Sequence, residues 1–268
     1  MPQAGLSPAA RAFDSVAATF DERFDPWQSV AAQRRAVRAE LLSSFKPGSK
    51  VLEIGGGTGA DALWLAATGC DVLMTDVSPA MVHRAKTKFS GHAGLSAKVA
   101  AAGGLDGLGL ERVSFDGAFS NFAALNCVDT LEPLARGLAG LVRPGGTAIL
   151  VLFGICCPGE WIVEALRGRP GSMFRRFSRQ LAPARLGGND FPVRYHRAAE
   201  LKRAMAPWFD HAGTRGIGVC VPPSAAEPWI SRYPRLLSTL EAFDRRLSVP
   251  LAPLGDHVLH RFVRRAEG

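Results

Sequence analysis

The chain reads as an α/β fold, a doubly wound and mostly parallel sheet covered by helices on both faces. Two observations predict it. From Lys50 onward, short runs of β-branched and apolar residues alternate with longer segments of helical period, the rhythm of strands joined by crossover helices. The first run ends in Gly55-Gly56-Gly57-Thr58-Gly59, and glycines at a strand-to-helix turn let a ligand approach the backbone closely. A single domain of 268 residues buries roughly three quarters of its unfolded surface, so a large core needs no staples.

The elements follow in order. Phe13 to Phe45 reads as one or two helices with an Arg-rich outer face. Val51 to Ile54 is a short buried strand, and Ala62, Leu63, Leu65 and Ala66 follow the glycines at helical spacing. Asp71 to Thr75 is the second strand, closed by Asp76, and Ser78-Pro79 starts a helix, Ser as cap and Pro in the first turn. Ala97 to Ala101 is the third strand and Phe115 to Ser120 the fourth. A helix from Thr130 to Leu141 stops at Arg143-Pro144-Gly145-Gly146, a turn signal, before the fifth strand, Thr147 to Phe153. Glu160 to Leu181 is helical in pattern but broken at Gly168 to Gly171, and Pro183 to Val193 reads as a loop. A helix from Ala198 to Trp208 and strands at His211 to Val221 and His257 to Arg264 complete seven strands. A helix from Pro234 to Leu247 lies between the last two, with Leu236, Leu237, Leu240, Phe243 and Leu247 on one stripe. The expected organisation is one domain: helices in 1–48, a ligand-binding core in 49–155, and the rest of the sheet in 156–268 with insertions at about 156–193 and 222–254.

Composition excludes collagen-like, disulfide-framework and wholly disordered classes. The longest apolar stretch, Thr147 to Cys157, falls short of the roughly 18 to 20 residues of a membrane-spanning helix, and no export signal precedes it. A cytoplasmic protein is expected. Five cysteines without paired spacing read as reduced thiols, with no structural disulfide or metal site. Lys and Arg balance Asp and Glu, 14 against 14, over residues 1–155, so the net +8 comes from 18 against 10 in residues 156–268. Eight arginines at 167, 169, 175, 176, 179, 185, 194 and 197 face one acid in that window, Asp190. Such a patch attracts phosphate, carboxylate or an anionic surface; yet Arg outnumbers Lys 26 to 6 throughout, as a coding bias would also produce.

The glycine segment alone does not choose a cofactor, because Gly55, Gly57 and Ala60 also satisfy the dinucleotide fingerprint G-x-G-x-x-A. Two acids discriminate. Glu53, two residues before the first glycine, disfavours a pyrophosphate at the mouth of the loop and suits a cation. Asp76 ends the second strand, where a carboxylate can accept hydrogen bonds from both ribose hydroxyls.

With V-L-E-I-G-G-G-T-G from Val51, D-V-S-P-A-M from Asp76, F-D-G-A-F-S-N from Phe115 and L-V-R-P-G-G-T from Leu141, the sequence resembles the class I S-adenosylmethionine-dependent methyltransferases. The resemblance implies a Rossmann-like sheet with an antiparallel last strand. It also implies S-adenosylmethionine as cofactor, leaving as S-adenosylhomocysteine, held by Glu53, Gly55, Gly56, Gly57, Gly59, Asp76, Val77, Met81, Ser120 and Asn121. Phe13-Asp14, Ala17 and Phe20-Asp21 resemble the F-D-x-x-A-x-x-Y-D segment of the ubiquinone-biosynthesis branch, so Phe20 is expected to close over the cofactor without the tyrosine's hydroxyl. Members often place an acid for the adenine after the third strand; here Ala101, Ala102 and Gly103 stand there, leaving adenine to backbone groups.

Methyl transfer from a sulfonium is an in-line displacement for which alignment and desolvation suffice without an obligatory side-chain base. His196, Asn121 and Asn126 are the candidate catalytic residues, although both asparagines equally suit the loop's own backbone. Asn126, Trp161, Tyr195 and Trp229 are candidate substrate contacts. The loop after the fourth strand lacks the [DNS]-P-P-[YF] and Pro-Cys sequences of amino and cytosine methyltransferases, so nucleic acid is not the expected partner. Cys156-Cys157 read as buried thiols. The expected activity is methyl transfer to a small or medium organic acceptor. An RNA methyltransferase, an NAD-dependent oxidoreductase and a non-catalytic cofactor-binding module are the alternatives.

Overall fold

A computed structural model describes residues 5–266. Three helices come first, α1 (Pro8–Val16), α2 (Phe20–Phe24) and α3 (Gln28–Ser44). The alternating core follows: β1 (Lys50–Ile54), α4 (Ala60–Ala66), β2 (Asp71–Asp76), α5 (Pro79–Phe89), β3 (Leu95–Val99), β4 (Phe115–Ser120), α6 (Glu132–Leu141) and β5 (Val142–Phe153). Then come α7 (Pro158–Leu166), β6 (Ala182–Leu186), β7 (Asn189–Val193), α8 (Ala198–Met205), β8 (Phe209–Ile217), α9 (Pro234–Leu247) and β9 (His257–Arg264).

Seven strands form one sheet in the order β3-β2-β1-β4-β5-β9-β8. Only β9 runs against its neighbours, so the last strand is the antiparallel one, as expected, and slots between β5 and β8. Alternation along each strand divides the core between the two faces. Leu52 and Ile54 of β1 pack with Leu134 and Leu138 of α6 and Leu201 of α8. Val51 turns the other way, to Leu41 of α3, Leu65 of α4 and Val82 of α5. Ser78 caps α5 by accepting the Met81 N–H at 3.1 Å, with Pro79 in the first turn.

Four segments differ from the sequence reading, the first being the stretch up to Leu181, where the helix expected beyond Gly171 is reduced to the 3-10 turns Pro170–Ser172 and Arg175–Phe177. Residues Pro183 to Val193, read as a loop, belong with Ala182 to the antiparallel hairpin β6-β7. Its prolines hid it, yet Pro183 and Pro192 face each other across the pair, so neither occupies a position that needs its missing N–H. Gly187 and Gly188, at φ +56° and +80°, supply the two-residue turn. Arg143 to Gly146 belong to β5, whose register against β4 shifts between Phe115 and Gly117 to absorb them. Finally, β8 ends at Ile217 because buried Asp244 of α9 accepts the N–H groups of Gly218 and of Cys220, the latter at 2.7 Å, which draws the chain away from the sheet.

Candidate functional site

The C-terminal ends of β1, β2, β4 and β5 open on one edge, where β1 lies between β2 and β4. That is the crevice in which α/β sheets bind ligands. A cavity of about 640 Å³ lies there, reaching from the glycine loop to the hairpin β6-β7 and the start of β9.

The loop geometry explains its glycines. Gly55, Gly57 and Gly59 hold φ of +70°, +58° and +80°, a left-handed backbone that side chains resist. A Cβ on Gly56 would sit 2.4 Å from Met74 Cγ and 2.7 Å from the Glu53 carboxyl carbon. Gly59 does not line the cavity; a Cβ there would meet the Phe89 ring at 2.6 Å, so this glycine lets α4 pack against α5. Glu53 is 2% exposed, and one carboxylate oxygen has no hydrogen-bond partner. Burial, with Asp61 close by, pushes its carboxyl well above the ordinary range. Asp76 accepts the Gly57 N–H at 2.9 Å on one oxygen and the Ser78 N–H at 2.8 Å on the other. Its burial outweighs those bonds and raises its pKa. The Val77 N–H also bears on this carboxylate, whose oxygens together still have lone-pair capacity to spare. Val77 and Ala100 to Ala102 line the cavity beyond it.

The N-terminal helices close this end. Asp14 takes the Ser78 hydroxyl and accepts the Ala80 N–H at 3.0 Å. Asp21 accepts the Thr58 hydroxyl at 2.5 Å and pairs with Lys88 at 2.7 Å. Both acids of the Phe-Asp pairs thus latch α1 and α2 over the helix starts after β1 and β2. Phe13, Phe20 and Phe24 form the roof. Arg34 of α3 also faces the cavity, its guanidinium 5.0 Å over the Phe122 ring and its Nε buried without a hydrogen bond.

The far end is walled by Phe122, Phe153 and Phe191 and floored by a polar cluster that the sequence did not reveal. Arg176 bridges Glu160 and Asp256, 2.7 Å from the latter. Burial alone would raise Asp256, but His257 and Arg176 outweigh it and hold the carboxyl below its ordinary range. Cys157, Glu160 and Asp256 bring ligand-type atoms within 4.8 Å of one another, but the guanidinium already supplies the cation there. Burial and Asp256 push the Cys157 thiol up to about 12, so it stays protonated. The adjacent His257 lines the cavity. Its ring stacks on Phe153 at 5.0 Å and meets the edge of Phe122 at 5.9 Å.

Several sequence-derived candidates lie elsewhere. Met81 is fully buried and packs on Val16 and Ala17 beneath α1. The Ser120 hydroxyl donates to Ile54 O at 2.8 Å, tying β4 to β1. Asn121 lines the cavity, but its amide is engaged with Asp61 at 2.9 Å and the Phe122 N–H at 2.7 Å. Asn126 donates to Arg194 O and accepts the Phe153 N–H, so it fastens the hairpin to β5. His196 spends Nε2 on Val128 O at 2.9 Å and, like Tyr195, is buried outside the cavity lining. Trp161 packs on Phe174 and Phe177, and Trp229 on Tyr233, both away from the cavity. The arginine cluster is largely neutralised by acids from outside its window. Glu164 pairs with Arg167 and Arg169, Glu160 with Arg175 and Arg176, and Glu200 with Arg194.

Residues 52–148 match the family described as methyltransferase domain. The chain is 31% identical over 162 residues to a biotin biosynthesis bifunctional protein of Cellvibrio japonicus, covering 59% of this chain and 29% of that protein. It is 32% identical over 143 residues to a ubiquinone/menaquinone biosynthesis C-methyltransferase of Acidiphilium cryptum, covering 53% of this chain and 57% of that one. It therefore spans less than two thirds of either relative's length. The crystal structure of an S-adenosylmethionine-dependent methyltransferase from Mesorhizobium loti superposes with a TM-score of 0.55 at 21% identity, over 87% of this chain and 98% of that chain. Strand order, glycine loop and closing acid agree with these matches: residues 52–148 form a methyltransferase domain, and the chain as a whole is similar to class I S-adenosylmethionine-dependent methyltransferases.

Proposed function

We propose that this protein transfers a methyl group from S-adenosylmethionine to a small or medium-sized organic acceptor. The observation that carries the reading is the cavity, with a polar glycine-loop end and an aromatic end under one lid. The first end fits the cofactor. The carboxylate oxygen of Glu53 that lacks a hydrogen-bond partner suits an ammonium group, and Arg34, whose buried Nε makes no hydrogen bond and only a long ion pair with Asp61 at 3.8 Å, suits a carboxylate. The free lone pairs of Asp76 suit ribose hydroxyls. When bound, the cofactor supplies an electrophilic methyl group. The protein's part is to hold the acceptor in line and keep water out, for which Phe122, Phe153 and Phe191 wall the far end and Phe20 roofs the glycine-loop end.

Acceptor class is read from the same walls. An apolar chamber of this volume suits a compact organic molecule, and the acid partners of Arg167, Arg169, Arg175, Arg176 and Arg194 leave little of the arginine cluster for phosphate. The test is incubation with methyl-labelled S-adenosylmethionine and separate metabolite and RNA fractions. Label is expected in the metabolite fraction. Label confined to RNA would replace the acceptor class, and label in no fraction would favour a non-catalytic cofactor-binding module.

A further inference from the structure

The polar floor of the cavity fixes the protonation of one imidazole. Gln33 Nε2 lies 3.1 Å from Asp256 Oδ2 and 3.5 Å from Pro222 O. Both are acceptors, so the amide nitrogen must face them and the amide oxygen must face away. That oxygen, Oε1, lies 3.1 Å from His257 Nδ1. An amide oxygen only accepts, so Nδ1 carries the proton, with Asp256 Oδ2 also 3.4 Å away. The neutral ring then bears its lone pair on Nε2, for which no hydrogen bond exists among the described residues. Phe153 on the ring's face and Phe122 at its edge keep it from turning. Burial lowers the His257 pKa, which keeps Nε2 free to accept a proton at neutral pH. The charged groups around the ring are Asp256 and Arg176, with Glu160 beyond Arg176 and Arg34 across the Phe122 ring.

We propose that His257 is the general base of this site, positioned by Gln33 and Asp256, and that the acceptor presents a hydroxyl group. The inference rests on the methyltransferase reading and deepens it. The acceptor's hydroxyl proton passes to His257 Nε2, and the oxygen electron pair left behind forms the bond to the methyl carbon. The pair of the broken carbon–sulfur bond stays on sulfur. Asp256 stabilises the imidazolium until its proton leaves to solvent, the part an aspartate plays behind a catalytic histidine.

The first test is nitrogen-15 NMR of the histidine rings in the full chain, with the His257 signals assigned by their loss in His257→Asn. A proton on Nδ1 and a bare Nε2 are expected at neutral pH, and an Nε2–H tautomer overturns the proposal. The second uses 4-nitrocatechol, whose phenolate absorbs in the visible, added to the S-adenosylhomocysteine-saturated protein at a pH where the free probe is protonated. A bound phenolate band is expected in the wild type and in His196→Asn but not in His257→Asn. No band in the wild type, or an equal band in His257→Asn, overturns the proposal. Should His257→Asn fail to fold, Gln33→Leu replaces it, with a shift of the His257 tautomer and a weakened band expected; an unchanged tautomer counts against the assignment. Calorimetric titration with S-adenosylhomocysteine separates the two readings. Absent binding sinks the methyltransferase reading, whereas intact binding with a band indifferent to His257 sinks this inference alone.

Discussion

Three side chains carry testable consequences at the scale of the residue. Asp76→Ala removes the acceptor expected to bind the cofactor's ribose and should cost about 1.5 to 3 kcal/mol of S-adenosylhomocysteine affinity by calorimetry, the range of a charge-assisted hydrogen bond. Glu53 predicts a proton effect. Its folded pKa lies well above the ordinary value, so the free protein loses stability as pH rises from the usual carboxylate range through that raised value. A bound ammonium favours the ionised carboxylate, so cofactor binding in that window should release a proton. Binding heats that do not vary between buffers of different ionisation enthalpy would contradict this. At the opposite end, His257→Asn should lower turnover about a hundredfold or more while sparing cofactor affinity, as loss of a general base does. The residues proposed for the cofactor were legible as a group because Glu53, the glycines and Asp76 lie within one strand-turn-helix-strand run. Gln33, Arg176 and His257 come from three distant parts of the chain, and no local spacing announces such a meeting. The only local sign was Asp256-His257 at the start of the last strand, whereas His196 drew notice and its Nε2 proves to be bound to Val128 O.

Among the elements, β4, α9 and β9 have the bounds read from the sequence, because apolar period and turn residues agree there. The hairpin β6-β7 is where that reading failed, since prolines in strands are compatible only with specific positions that tertiary pairing decides. It matters to the site, because Arg185, Leu186 and Phe191 line the cavity and its turn rests on α1. A Cβ on Gly187 would fall 2.3 Å from Ser15 Oγ and 2.6 Å from Val16 Cγ1. Gly187→Ala should therefore cost at least the roughly 1 to 2 kcal/mol of a left-handed alanine, read by denaturant unfolding. It should also loosen the lid, read as faster proteolysis near α1. Unchanged stability and cleavage would mean that the hairpin does not bear on that helix.

For the whole molecule, the Glu160–Arg176–Asp256 cluster joins the segment after β5 to the start of the antiparallel strand. Arg176 also donates to Gly154 O at 3.0 Å and Asp256 O at 2.7 Å. Arg176→Ala takes the guanidinium from buried Asp256 and leaves buried Glu160 with Arg175 alone, and should destabilise the fold by about 3 kcal/mol, whereas the exposed Arg179→Ala should change stability little. Among the described residues no helix is long and apolar enough to cross a membrane. The crevice beside β1 is proposed here as a nucleoside-sulfonium site and not a dinucleotide site. Parallel calorimetric titrations with S-adenosylhomocysteine and NADH test it most directly. Saturable, one-to-one binding of S-adenosylhomocysteine that weakens in Asp76→Ala, with no NADH binding, is the predicted result; saturable NADH binding without S-adenosylhomocysteine binding would contradict it.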